Sequence, residues 1–294
     1  MRYGTGVALV VLAAVLWSGM GLAIRQIDVA GTWAILFWRS VGMVPVLLAY
    51  ITWRSGGQTM HRLRRVGLAG VVGGAGLVLA FAGAIYAIQA TTIANAVFLF
   101  AVAPFLAAIL GSLLLREPVR RATWIAIVVG GAGMFLMVRD GLAVGAAAGN
   151  VAALLSALGF AAFTVTLRWG RLEDMMPAVV LGGIFSMIAS ALVLGVQGGA
   201  LLVPLHDILL SVAMGAVLLA TGMILFTIGS RVVPAAELAL LSTVEAFLAP
   251  LWVWLALDET ASSGTFLGGS VLMVALAGNA LSGMRRKPLA PPMT

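Results

Sequence analysis

The chain has 294 residues, of which 62% are hydrophobic and only 9% are charged, and its mean hydropathy is +1.14. Because soluble globular domains carry about 25% charged residues, this composition excludes a soluble protein and indicates a lipid environment. The formal net charge of +7 does not indicate nucleic-acid binding, since the arginines lie in short clusters between apolar runs and lack an aromatic platform.

Ten apolar segments are long enough to cross a membrane as helices, which needs about 20 residues each. The first is interpreted as a retained helix rather than a signal peptide, because its apolar run is long and has no clean cleavage site. In chain order the predicted spans are residues 6–24, 33–53, 66–88, 92–115, 122–138, 147–167, 176–196, 207–229, 235–256 and 264–284. The predicted fold is an all-α integral membrane protein of ten transmembrane helices.

The basic residues predict the orientation of these spans. With the N-terminus in the cytoplasm, most of them fall inside, as the positive-inside rule requires, and only Arg25 and Arg139 fall outside. The predicted inside residues are Arg2, Arg54, Arg62, Arg64, Arg65, Arg116, Arg120, Arg121, Arg168, Arg171, Arg231, Arg285, Arg286 and Lys287. We therefore expect a multi-pass protein of the cell's inner (cytoplasmic) membrane with both termini in the cytoplasm.

The chain also resembles itself. Residues 6–25 (GVALVVLAAVLWSGMGLAIR) align without gaps with residues 149–168 (GNVAALLSALGFAAFTVTLR), and, shifted by one position, residues 95–118 align with residues 237–260. The matched residues include Trp17 with Phe160, Asn95 with Glu237, Arg25 with Arg168, and Glu117 with Glu259. Nearly the same offset in both halves indicates an internal repeat.

The repeat predicts two five-helix units, residues 1–144 and residues 145–294, within one membrane-embedded body. Because five is odd, the second unit must enter the membrane from the opposite side. The result is an inverted-topology repeat, which is typical of secondary transporters that hold their substrate at the midplane between the halves.

These features resemble a known family. Ten spans in two halves, LWSG in the first helix and APFLAAILGSLLLREP (103–118) closing the fourth are similar to the drug/metabolite transporter superfamily, in its EamA-type branch. Pro104 and Glu117 fit the family's pattern for the fourth helix. The second copy departs from the pattern, because Ala246 follows Glu245 where a proline is expected. Within the branch, the length and aromatic content look most like the YddG-type exporters of aromatic amino acids.

Glu245 is the first candidate site residue, since a carboxylate at mid-membrane costs at least a few kcal/mol and should face the bundle interior or a wet cavity. It is interpreted either as a group for proton coupling or for a substrate amine, or as a structural acid held by Ser242 or Thr243. Glu237, in the first turn of the same helix, suits the helix dipole. Asn95 is expected to cap its helix or to line the mouth of the cavity.

Aromatic residues supply the second candidate group, as a stacking pocket for flat ligands. Trp17 leads it, because it lies near the bilayer centre rather than at an interface, where tryptophan is enriched. The predicted set is Trp17, Phe81, Tyr86, Phe98, Phe160, Phe163 and Trp252. Ordinary core packing is the alternative for each member. Pro104 and Pro250 each free a backbone carbonyl, so we expect a helix break beside the cavity at both.

Arg39 is the only arginine well inside a span, and two interpretations are open. It is either the counter-ion of a substrate carboxylate, or it snorkels to the outer interface or pairs with Asp28, and the second is favoured. Glu117 and Glu259 are expected to fix helix ends or to gate loops rather than to touch substrate. The glycines of GVVGGAG (70–76) and VVGGAG (128–133) predict close helix crossings.

Several chemistries lack their motifs. The sequence has no phosphate-binding loop, no metal-binding motif and no cysteine, so we expect neither an enzyme, nor a cofactor, nor a metal. The predicted function is export of small metabolites, aromatic or other apolar amino acids, by alternating access through a central cavity. Efflux of lipophilic cationic drugs is the alternative. The expected partners are the small-molecule substrate, the lipid bilayer and, through proton coupling, protons, with the protein acting as a monomer.

The predicted orientation can be measured with reporter fusions. Reporters at both termini should lie in the cytoplasm, and a reporter fused after residue 142 should lie outside, because five spans precede it. A cytoplasmic reporter at that position would contradict both the orientation and the inverted repeat.

Overall fold

In this structure, a computed structural model, residues 2–143, 146–172, 174–233 and 235–284 are described, apart from the side chains of residues 140–143, 235–236, 239–240, 242–243 and 283–284. Every regular element among them is helical, which confirms the predicted all-α class. The helices of the first half are α1 (Tyr3–Arg25), α2 (Thr32–Ser55), α3 (Thr59–Arg65), α4 (Gly67–Ala90), α5 (Ile93–Phe100), α6 (Ala103–Leu115) and α7 (Arg121–Ala143).

The second half begins with two uninterrupted helices and then changes helix type within its third span. Its helices are α8 (Ala147–Trp169), α9 (Met176–Gln197), α10 (Leu205–Ala213), a π-helical segment (Met214–Ala220), α11 (Thr221–Gly229), α12 (Ala235–Leu257) and α13 (Ser263–Met284). The π segment continues α10 into α11 without a break. The sequence predicts neither this change nor the short helix α3.

Among the described residues, nine helical stretches are long and apolar enough to cross a membrane. Two of them combine elements: α5 with α6, and α10 with the π segment and α11. Within α12, only Val244–Leu257 counts, as a shorter apolar helix. The chain is therefore a multi-pass membrane protein, and the number of ten spans stays a prediction.

The two predicted halves pack against each other along their whole length instead of forming separate bundles. Helix α4 packs on α8 and α9; in the corresponding way, α1 packs on α11 and α2 packs on the π segment. Helix α1 also packs on α12, as α8 packs on α5 and α6, while α2 meets α9 and α7 meets α13. If each span is replaced by the span five places further along the chain, or five places earlier in the second half, the same set of packing contacts results. The packing therefore favours an inverted repeat, although its bounds, 1–144 and 145–294, remain predicted.

Glycines allow two of these crossings, as the sequence predicts. At Gly159 of α8, an added Cβ would lie 2.6 Å from the carbonyl oxygen of Gly76 of α4. Gly133 of α7 and Gly268 of α13 face each other in the same way, and a Cβ on either would overlap the other's carbonyl oxygen. Lipid gives apolar helices little reason to associate, so close backbone packing of this kind holds them together.

A buried carboxylate fastens the loop between α1 and α2 to the first turn of α10. Asp207 is 1% exposed and accepts the backbone N–H groups of Val29 at 3.0 Å and Ala30 at 2.9 Å. Asp28 and His206 lie close enough to share a cation with it, yet the Asp207 oxygens are already engaged by the backbone. The contact joins the two halves on the side that is predicted to face outside.

The glycine crossing yields a matched pair of substitutions on α7. We expect Gly133→Ala to lower the apparent Tm in detergent, because overpacking a close contact costs about 1–3 kcal/mol. Gly131→Ala, where nothing lies within 4 Å of an added Cβ, should leave the Tm unchanged or raise it slightly, since alanine favours helix. Equal effects at the two positions in a thermal unfolding measurement would contradict the crossing.

Candidate functional site

Side-chain contacts fasten together the ends of α1, α2, α4 and α12 that are predicted to face outside. Arg25, at the end of α1, donates to both carboxylate oxygens of Glu259 at 3.0 and 3.3 Å and to the Thr91 carbonyl at 2.7 Å. The Thr32 hydroxyl, at the start of α2, donates to the side-chain oxygen of Gln89 at 2.6 Å, near the end of α4. These contacts put the four helix ends at one level, so depth can be counted inward from them.

Seven or eight residues inward from these ends, the four helices carry three aromatic residues and one arginine: Trp17, Arg39, Phe81 and Trp252. We call these four the charged-aromatic layer. It lies about 11 Å inward, roughly a third of the way across a hydrocarbon core of about 30 Å. Two contacts support the shared level. The guanidinium carbon of Arg39 lies 4.6 Å from the centre of the Phe81 ring, and Trp252 Nε1 donates to Ser18 Oγ at 2.8 Å.

Arg39 departs from the favoured expectation that it would snorkel outward or pair with Asp28. It is 2% exposed, and none of the ion pairs among the described residues includes it. Its Nε and Nη2 have no hydrogen-bond partner in that part of the chain. The physical reason is packing: α2 crosses the π segment so closely that a Cβ on Gly215 would overlap the Arg39 carbonyl oxygen. Arg39 is thus held between helices, away from the membrane surface.

Trp17 packs against the π segment and α11. Its Nε1 donates to the Leu219 carbonyl oxygen at 3.4 Å, and its ring centre lies 5.5 Å from that of Phe226. Gly222 makes room for the indole, since a Cβ there would overlap the ring nitrogen. Single π-helical turns occur frequently at functional sites. The π segment therefore touches the layer twice, at Arg39 and at Trp17.

Glu245 lies deeper than the layer, seven residues before Trp252 in α12 and so about 10 Å further inward. Its side chain is only partly exposed, and no described residue forms an ion pair with it. The side chains of Ser242 and Thr243, which are expected to hold it in the structural interpretation, lie outside the described residues. Glu245 is thus a carboxyl group near the middle of a span, below an arginine that it does not contact.

The two predicted aromatic residues of α8 lie at different places relative to the layer. Phe163 is 2% exposed and belongs to the buried cluster against which Trp17 and Phe81 pack. Phe160 is 37% exposed, and its ring centre lies 5.7 Å from Phe100 and 5.9 Å from Phe163. Phe163 therefore supports the layer from behind, whereas Phe160 lies at the edge of the bundle.

Tyr86 is not brought to the layer, contrary to its predicted place in the pocket. It is 44% exposed and lies on a stripe of exposed α4 residues that includes Leu68, Val72 and Leu79. Their spacing of four or seven residues places them on one helical face. This face points away from the bundle, so Tyr86 is a lipid-facing residue.

Phe98 and Pro250 instead line a separate cavity of about 310 Å³ between α5, α12 and α13. Its outer walls, Phe247, Trp254 and Phe266, are each more than half exposed, so the cavity opens sideways toward lipid. Phe98 also packs against the backbone of α13, where Gly269 has no side chain. The cavity does not contain the charged-aromatic layer.

Asn95 is buried between the halves. It is 2% exposed, and its Nδ2 donates to Thr91 Oγ1 at 3.2 Å and to the side-chain oxygen of Asn150 in α8. Its backbone N–H is capped by the Thr92 hydroxyl at 3.3 Å. Its contact with Asn150 joins α5 to α8, and its place at the mouth of a cavity stays a prediction.

The two predicted helix breaks have different outcomes. Helix α5 ends at Phe100 and α6 begins at Ala103, with Pro104 in its first turn, where a proline is readily accommodated. By contrast, α12 continues past Pro250 to Leu257, so no helix ends there. Of these two spans, the fourth is interrupted and the ninth is not.

Three ion pairs among the described residues link the halves, and two of them lie at opposite ends of the bundle and follow the repeat. Arg25 of α1 pairs with Glu259, which also accepts the Ile93 N–H at 2.8 Å. Arg168 of α8 pairs with Glu117 after α6. The repeat alignment matches the two arginines with each other and the two glutamates with each other, so each pair is the counterpart of the other. The sequence contains this signal, but the alignment alone does not show that the arginine and glutamate of opposite halves meet.

Residues 4–139 match the EamA-like transporter family. A solved structure titled only "Crystal structure of protein" is similar over 97% of this chain and 100% of its own, with a TM-score of 0.69 and 20% sequence identity, which shows the fold. No curated protein sequence matches the chain. The multi-pass helical fold, the broken fourth span and the family match agree with one another. The N-terminal half of the chain is therefore similar to the EamA-like transporter family, and this similarity supports a membrane transporter of the drug/metabolite transporter type.

Proposed function

We propose that the protein exports small metabolites, aromatic or other apolar amino acids, by alternating access between its two halves. It would do so as a monomer in the cell's inner membrane, with both termini in the cytoplasm. The observation that carries the proposal is the pair of equivalent ion pairs, Arg25–Glu259 and Arg168–Glu117, at opposite ends of the bundle.

In an alternating-access cycle, the ion pair on one side must separate while its counterpart stays closed. The side chains of Arg25 and Glu259 are 24% and 21% exposed, and those of Arg168 and Glu117 are 41% and 40% exposed. Partly exposed pairs of this kind contribute about 1 kcal/mol or less. Breaking one of them is therefore a small cost, which thermal motion or substrate binding can meet. In the proposed cycle, the state in which both pairs are formed is closed on both sides.

The charged-aromatic layer favours amino acids over lipophilic cations. Trp17 and Phe81 offer faces for a flat apolar group, and cation–π contact would make the same faces suitable for a cationic drug. Arg39, however, places a basic group in the same layer, and no ion pair among the described residues includes it. Repulsion between like charges works against a cationic substrate at this level.

Glu245 is the proposed site of proton coupling. A carboxyl group near the middle of a span, without a described basic partner, is stable there when protonated. Once one half rocks against the other and water reaches it, it can release the proton. Gain and loss of the proton on different sides of the membrane would then drive net transport.

We expect Glu245→Gln to insert and fold normally but to lose most net transport, or the dependence of transport on pH. The substitution keeps the shape of the side chain and removes only its titration. Glu237→Gln is the matched control, because it makes the same change in the first turn of the same helix. The measurement is transport by each variant in proteoliposomes at several pH values, with protein amounts matched.

Two results would count against the coupling role. If Glu245→Gln kept the wild-type rate and pH profile, Glu245 would be a structural acid. If Glu237→Gln changed the pH profile as strongly as Glu245→Gln, the effect would not belong to the mid-span position.

A further inference from the structure

We propose that Arg39 binds the carboxylate of the transported molecule, so that the substrates are carboxylic acids that carry a flat apolar group. This inference rests on the proposed function and makes it more specific. It assigns the selective contact to a carboxylate and not to an amine.

In the described part of the chain, the guanidinium group of Arg39 is buried without an anion or a full set of hydrogen-bond partners. Arg39 is 2% exposed, and its Nε and Nη2 lack hydrogen-bond partners among the described residues. A buried charge without an anion is costly. The nearest candidates do not supply one, since Asp28 lies outside the span and Glu245 lies about 10 Å deeper. A substrate carboxylate would neutralise the charge of Arg39 and accept hydrogen bonds from its Nε and Nη2.

Two nitrogens of Arg39, unpartnered among the described residues, are placed as a carboxylate would require. Nε and Nη2 lie on the same side of the planar guanidinium group, and together they form one of its two-pronged donor edges. Such an edge matches the two oxygens of a carboxylate. One face of the group lies over Phe81, with 4.6 Å between the guanidinium carbon and the ring centre. The stacking contact orients the plane, and the donors of this edge stay buried and without a hydrogen-bond partner among the described residues.

Aromatic side chains near Arg39 could contact the apolar part of the ligand. Trp17 and Phe81 pack against the same buried cluster, which includes Phe163. A ligand whose carboxylate meets Arg39 would therefore have aromatic faces within the same layer for its apolar group.

Arg39 and Glu245 have different roles in this proposal. The carboxylate and ammonium groups of an amino acid are attached to one carbon atom, whereas the backbone positions of Arg39 and Glu245 differ in depth by about 10 Å. In this state Arg39 alone would hold the charged end of the ligand, while Glu245 would handle the proton. The amine of the substrate is then dispensable for binding, and the carboxylate is not.

The test is competition with uptake of labelled phenylalanine by full-length protein in proteoliposomes preloaded with unlabelled phenylalanine. The competitors are 3-phenylpropionate, which has no amine, and 2-phenylethylamine, which has no carboxylate. With the wild type, we expect phenylpropionate to compete at concentrations at least about 10-fold lower than phenylethylamine, as is typical of a charged hydrogen-bonded pair.

The variants are Arg39→Gln and Arg39→Lys, with Ser40→Ala as the matched control. Ser40 is the next residue in α2, is 1% exposed and has an unpartnered hydroxyl among the described residues, but it belongs to no part of the proposed site. Both Arg39 variants should weaken binding of phenylalanine and phenylpropionate by about 10-fold or more and leave binding of phenylethylamine unchanged or improved. Ser40→Ala should behave like the wild type. If Arg39→Gln does not fold, Arg39→Lys, which keeps the charge and loses the two-pronged edge, still answers the question.

The outcomes separate the two proposals. If the wild type carries neither phenylalanine nor leucine, the proposed function is overturned. If it carries phenylalanine but phenylethylamine competes as well as phenylpropionate, the assignment of Arg39 is overturned while the transport function stands. Unchanged competition by phenylpropionate in a folded Arg39 variant overturns the assignment in the same way.

Discussion

Close packing between the two halves is the constraint on which the rest of this structure depends. In lipid, an apolar helix gains little by leaving its surroundings for another apolar helix, so association requires backbones that approach closely. Gly76 with Gly159 and Gly133 with Gly268 provide such approaches, and both pairs join one half to the other. Each buried hydrophobic cluster of the described residues contains residues from both halves. The two halves therefore pack together as one body.

The contacts between the halves therefore differ along the helices: the glycine crossings pack tightly within the helices, and the ion pairs at the helix ends contribute little. The glycine crossings lie within long helices and would serve as the pivot, because they tolerate rotation better than separation. The ion pairs Arg25–Glu259 and Arg168–Glu117 lie at the helix ends, are partly exposed and contribute little each. The charged-aromatic layer lies nearer the predicted outer end than the Gly76–Gly159 crossing does, and a small rocking movement about that crossing would open or close access to Arg39 and Trp17.

The sequence predicts the parts of this fold that follow from the amount of apolar surface. It does not predict which side of a helix faces the bundle and which side faces lipid. Span positions follow from hydropathy, and the glycine crossings follow from residue size. Tyr86 is misplaced because the lipid-facing and bundle-facing sides of a membrane helix are both apolar, so periodicity does not distinguish them. The burial of Arg39 depends on the π segment, which no local motif in residues 214–220 announces. Pro250 does not end its helix although Pro104 begins one, and the residue type alone does not separate these cases.

The repeat alignment is more informative than the individual motifs, because it matches Arg25 with Arg168 and Glu117 with Glu259. It gives no distance between the halves, however, so the pairing of each arginine with the glutamate of the other half emerges only from the folded chain. The same limit applies to the layer. Its four members lie on four helices, and their common depth depends on contacts at the helix ends that pattern alone does not supply.

The most direct test of the account is to measure the distances across the two ends of the bundle in the same protein. Since the chain has no cysteine, spin labels can be placed on Val29→Cys with Thr260→Cys at the predicted outer end, and on Pro118→Cys with Trp169→Cys at the inner end. Double electron–electron resonance in liposomes, with and without phenylalanine and at two pH values, then reports both distances. The account predicts that any condition that lengthens one distance shortens the other or leaves it short. Lengthening of both distances together, or no change in either during active transport, would contradict it.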